Sequence, residues 1–90
     1  MSTQTGEVGT NTEMSDEEFH ERLRELPPSA KLVAKVLELD EPLSQSELAE
    51  ESLLPDRTVR YALNRLDDAG LVHSRYSFAD ARKRVYALAQ

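Results

Sequence analysis

The chain has 90 residues, 39% of them hydrophobic and 31% charged, which suits one small domain. It holds no cysteine, which excludes disulfides, thiolate metal sites and cysteine nucleophiles, and no apolar run approaches the ~18–20 residues of a membrane span. The net charge of −6 is unevenly spread: residues 1–56 sum to −10 and residues 57–90 to +4.

Residues 1–14 are polar, with too little apolar surface to repay ordering and neither the basic nor the apolar region of a signal peptide. A disordered tail is expected there, with residues 15–90 forming one domain in a cytoplasmic protein. Ser15 and Glu18 have capping-box spacing, and Phe19, Leu23 and Leu26 recur at helical intervals until Pro27 and Pro28. Pro28 and Ser29 can open a second helix, whose apolar face is expected to carry Leu32, Val33, Val36 and Leu37. Leu43 then suits a short strand or an extended link.

Ser44 and Glu47 repeat the capping box and start a short helix at about 45–52. Pro55 and Asp56 open the next, with Asp56 as its expected cap, and Gly70 stops it after Ala69. Beyond Gly70 the period drops to about two, so 71–77 and 84–88 read as strands around a charged connection. The expected architecture is mainly α with a small β-hairpin. It has a three-helix core and a two-stranded wing, preceded by an extra N-terminal helix.

Two helices at 45–52 and 57–69 joined by a short turn have the helix-turn-helix layout, in which the second helix enters the major groove. At 100° per residue Val59, Ala62, Leu63 and Leu66 share one face. Arg57, Arg60, Tyr61 and Asn64 share the opposite one, none of them acidic, and Asp67 and Asp68 come only at its far C-terminal end. Arginine can donate two hydrogen bonds to guanine and asparagine can pair with adenine. Thr58 and Arg65 flank this face within reach of phosphates. Gln45 and Ser46 sit at a helix N-terminus, where free N–H groups can hold a phosphate. The hairpin connection brings Asp80, Arg82, Lys83 and Arg84, and a basic hairpin beside such a helix can follow the backbone or enter the minor groove.

The run SELAEE (46–51), PDRTVRYALNRL (55–66) and AGLV (69–72) resembles the winged helix-turn-helix of MarR-like and related archaeal transcription regulators. The Asp80-Ala81-Arg82 triplet resembles the family's Asp-x-Arg wing signature. The resemblance implies that Arg82 enters the minor groove and Asp80 orients it. It implies double-stranded DNA as partner, a homodimer on a two-fold operator, and no cofactor. The acidic composition, with only three lysines (Lys31, Lys35, Lys83), is similar to that of proteins from salt-loving archaea. Two features depart from the family. Ser52-Leu53-Leu54 offers no glycine between the two helices, so a longer or looser turn is expected. MarR proteins dimerise through long terminal helices, and residues 1–90 are expected to offer only the 15–26 helix and the flanks of the next one for that task.

No residues support an enzyme: no nucleophile motif, glycine-rich phosphate loop or catalytic carboxylate pair is present. His20 and His73 lack partners at metal spacing. Phe19, Tyr76, Phe78 and Tyr86 are expected to serve core and hairpin packing. The alternative to DNA binding is a winged-helix protein-interaction module, favoured by the acidic overall charge.

Overall fold

In the computed structural model, which describes residues 14–89, Ser15 caps the first helix, α1 (Asp16–Arg24). The Ser15 Oγ accepts the Glu18 N–H at 3.1 Å, and Glu18 accepts the Ser15 N–H in return. The three acids of the first turn favour the positive end of the helix dipole. Phe19 and Leu26 are buried against the rest of the domain, so α1 packs on its own chain. The tail expected over residues 1–14 lies outside the described residues except for Met14, which packs partly against the core.

Helix α2 (Pro28–Leu39) opens with proline in its first turn. Its buried residues are Ala30, Val33, Ala34 and Leu37. That differs from the expected face: Leu32 is exposed and Val36 only half-buried. The stripe follows i, i+3, i+4 and i+7, with two alanines in place of larger side chains. Small residues let a neighbouring backbone approach closely, and α2 packs chiefly on α4.

Strand β1 (Leu43–Ser44) leads directly into α3 (Gln45–Ser52), whose capping box is complete: Ser44 Oγ accepts the Glu47 N–H and Glu47 accepts the Ser44 N–H at 2.8 Å. No longer turn follows. Leu53 itself takes the left-handed conformation, φ 63° and ψ 22°, that glycine was expected to supply. The Ser52 Oγ accepts the Leu54 N–H, and α4 (Asp56–Asp68) begins two residues later. Asp56 is not its cap: Pro55 occupies that position without a side-chain bond, and Asp56 lies inside the first turn.

The C-terminus of α4 closes as expected at Gly70, φ +74°. Gly70 N–H donates to the Asp67 carbonyl and Leu71 N–H to the Leu66 carbonyl, the two bonds of a Schellman motif. Strands β2 (Val72–Tyr76) and β3 (Arg84–Leu88) form the hairpin, pairing Val72 with Leu88 through to Tyr76 with Arg84. The sheet has three strands, not two, in the order β1-β3-β2, because β1 pairs antiparallel with β3. Past the end of β1, a Glu41 carboxylate oxygen continues the ladder by accepting the Leu88 N–H at 2.7 Å.

One core unites these elements, with Val33, Leu37, Leu48, Val59, Leu66 and Leu71 fully buried. The fold is a winged helix-turn-helix preceded by an N-terminal helix. Among the described residues no helix is long and apolar enough to cross a membrane.

Candidate nucleic-acid interface

Helix α4 buries Val59, Ala62, Leu63 and Leu66, the four residues predicted for its inner face. That fixes its rotation and leaves Arg57, Arg60, Tyr61 and Asn64 exposed on the outer face. Thr58 and Arg65 are half-buried at its flanks. Arg65 donates to the Tyr61 hydroxyl at 3.1 Å and lies 5.9 Å from the Tyr61 ring centre. One turn apart, the two side chains brace each other, and the Tyr61 ring stays exposed.

The wing turn carries its own hydrogen bonds. Ser77 N–H donates to the Lys83 carbonyl, Lys83 N–H to the Asp80 carbonyl, and Ala79 N–H to the Ser77 hydroxyl. One Asp80 carboxylate oxygen accepts both the Arg82 backbone N–H at 3.0 Å and its Nε at 3.4 Å. The Arg82 side chain is otherwise 92% exposed. Asp80 thus holds the root of the guanidinium and leaves its outer nitrogens to solvent. Arg84 lies 5.5 Å over the Tyr76 ring.

Between the wing and the start of α3 runs an open cleft of about 640 Å³, bringing together Gln45, Ser46, Asp80, Arg82, Lys83 and Arg84. First-turn amides of a helix have no intrahelical acceptor and favour anions. Two predicted residues also have internal work. The Gln45 side-chain amide donates to the Asp56 carbonyl at 3.3 Å, tying α3 to α4. The Lys83 ammonium donates to Glu47 Oε2 at 3.3 Å. Glu47 therefore serves the α3 cap with one oxygen and the wing with the other. The Ser44 backbone N–H, more than Lys83, holds its carboxyl below the usual carboxylate range.

A smaller concavity between α4 and the sheet joins Asn64 to Arg84, so the outer face of α4 and the wing are continuous. Of the twelve predicted residues, six line the cleft and Asn64 joins Arg84 in the concavity, while Arg57, Thr58, Arg60, Tyr61 and Arg65 lie on α4 outside both.

Several contributors were not foreseen. Asp56 lines the cleft as a carboxylate among cations. Arg22 on α1 donates to the Ala69 carbonyl at 3.1 Å, so α1 steadies the C-terminus of α4. Phe78, expected to pack in the hairpin, is 100% exposed at the wing turn. Arg22 and Glu47 act across 47 and 36 residues, and no local pattern carries such a pairing. Among the described residues no group of histidines and carboxylates could hold a metal ion.

Residues 35–73 match the family model described as winged helix-turn-helix DNA-binding. No curated protein matches the sequence. Among solved structures, the chain is similar to BpsR of Bordetella bronchiseptica, whose DNA binding is regulated by 6-hydroxynicotinic acid. The identity is 22% over 78% of this chain and 51% of that one, with a TM-score of 0.69. A MarR family transcription regulator aligns at 20% identity, over 77% of this chain and 46% of that one, TM-score 0.68. MepR of S. aureus, solved in complex with DNA, aligns at 18% identity, over 77% of this chain and 59% of that one, TM-score 0.66. At these identities the likeness concerns the fold. The chain spans about half the length of the structures it matches.

Proposed function

We propose that this chain is a sequence-specific transcription regulator of the MarR-like type that binds double-stranded DNA. Helix α4 enters the major groove, where Arg57, Arg60 and Asn64 read base edges and Tyr61 packs beside them. Thr58 and Arg65 contact phosphates, as do Gln45 and Ser46 at the start of α3. Arg82, aimed by Asp80, enters the minor groove, with Lys83 and Arg84 along its rim. The observation that supports this reading is the outer face of α4, where Arg57, Arg60, Tyr61 and Asn64 precede Asp67 and Asp68 at the C-terminal end, beside a cationic wing in an otherwise acidic protein.

The protein works as a homodimer on a two-fold operator, which sets the two α4 helices about one DNA turn, ~34 Å, apart. The groove of about 400 Å³ between α1 and α2, floored by Phe19, Leu23 and Ala34, offers a second copy an apolar seat. The setting is cytoplasmic, in a salt-loving archaeon, and no enzymatic step or cofactor is involved. These assignments rest on composition and on the family resemblance.

Binding-site selection from a random duplex pool, in low and in molar KCl, tests the reading. The expected result is an enriched near-palindrome that an Arg57→Ala/Arg60→Ala variant loses. Each lost bidentate contact costs about 1–3 kcal/mol of discrimination. No enrichment at either salt, with folded protein, would replace it by the protein-interaction module.

A further inference from the structure

Phe78 gains nothing from folding: its side chain is 100% exposed. An isolated exposed apolar residue needs no explanation, but this one sits on a braced turn among cations. The hairpin register pairs Tyr76 with Arg84, and the Ser77 N–H to Lys83 carbonyl bond carries it one step further. Phe78 therefore comes opposite Arg82. Tyr76 and Arg84 share one ribbon face and end the ladder, and Phe78 and Arg82 stand on the turn that follows that pair. Arg84 lines both the cleft beside α3 and the concavity beside α4, so this ribbon face adjoins the proposed DNA surface. The only carboxylate on the turn, Asp80, is already bonded to Arg82.

We propose that the wing tip is a two-part wedge in which Arg82 enters the minor groove and the Phe78 ring presses between the base pairs beneath it. This deepens the DNA-binding reading and rests on it. A lone arginine reads groove width, whereas an inserted ring must separate a base step and kink the duplex. The chain would thereby select a flexible pyrimidine–purine step, TA or CA, under the wing, at a position with no hydrogen bond to any base. A stiff A-tract step there resists the wedge. The turn's hydrogen bonds fix the backbone that carries the ring, so little backbone entropy is lost on insertion.

The test uses the full chain and duplexes carrying the site recovered by selection, with either TA or AA at the step under the wing. Wild type is expected to bind the TA duplex about tenfold more tightly and to brighten a 2-aminopurine placed at that step. Phe78→Leu keeps an apolar wedge and should retain both effects. Phe78→Ser should lose both while still selecting the half-site read by α4. Equal affinities of wild type for the two duplexes, or a Phe78→Ser variant that behaves as wild type, overturns the wedge and leaves the DNA-binding reading standing. A Phe78→Ser variant unchanged on DNA but unable to self-associate also overturns it, since the ring then serves a protein contact. Wild type that selects no site at all overturns both.

Discussion

Leu53 stands in the turn of the helix-turn-helix with φ 63° and its side chain 89% exposed. A leucine in the left-handed region costs roughly 1–2 kcal/mol, and here no buried contact offsets it. The turn keeps its shape because α3 and α4 are fixed by the core on either side. Leu53→Gly is therefore expected to raise unfolding free energy by about 1 kcal/mol, measured by denaturant titration, with DNA affinity unchanged. A lower stability would mean that Leu53 makes a contact the exposure conceals. This conformation was not legible in the sequence, because leucine carries no turn signal and tertiary packing imposed it. Phe78 was hidden for a related reason. Alternation gives a strand residue its face, but once the ladder ends only the bonds of the turn determine what stays bare.

Among the elements, helix faces with large apolar residues were legible and those with small ones were not. Four branched or small apolar residues on α4 named its inner face and so its outer one. On α2 the alanines that line the contact looked unremarkable, and Leu32 was misassigned to the core. The joint between α3 and the wing was equally hidden. Glu47 belongs to a cap by its spacing, and its second bond, to Lys83, appears only when the chain folds back. That joint makes a prediction with a definite sign. The folded protein holds the Glu47 carboxyl below its ordinary value, chiefly through the Ser44 N–H. Its contribution is thus present above the ordinary carboxylate range and is lost as pH falls through the lowered folded value. Glu47→Gln should lower the melting temperature at neutral pH, and the gap to wild type should close on acidification. A gap independent of pH would mean that shape rather than charge makes the joint. The same variant frees Lys83, so DNA affinity need not fall with stability.

For the molecule as a whole, charge is segregated rather than scarce: −10 over residues 1–56 against +4 over residues 57–90. Counterion release predicts a log–log salt slope near −0.9 per phosphate neutralised, so about five engaged arginines and lysines would give roughly −4 to −5. The acidic body should take up cations as DNA approaches and offset part of that release. The expected slope for specific binding between low and molar KCl is shallower than the cation count alone implies. A slope at the full value would rule out this compensation. The order of elements was legible throughout because each is marked locally by caps, periods and a terminal glycine. The third strand was half-seen, since two residues at Leu43–Ser44 become a strand only on meeting β3. That late meeting has a consequence for synthesis. The ribosome delivers α1 to α4 before residues 84–88, and a small domain with one core folds as a unit. Until β3 emerges, β1 has no partner, Glu41 has no amide to receive, and the hairpin is an open strand. A nascent chain therefore completes neither its sheet nor the proposed DNA surface until residues 84–88 have emerged and paired with Leu43–Ser44.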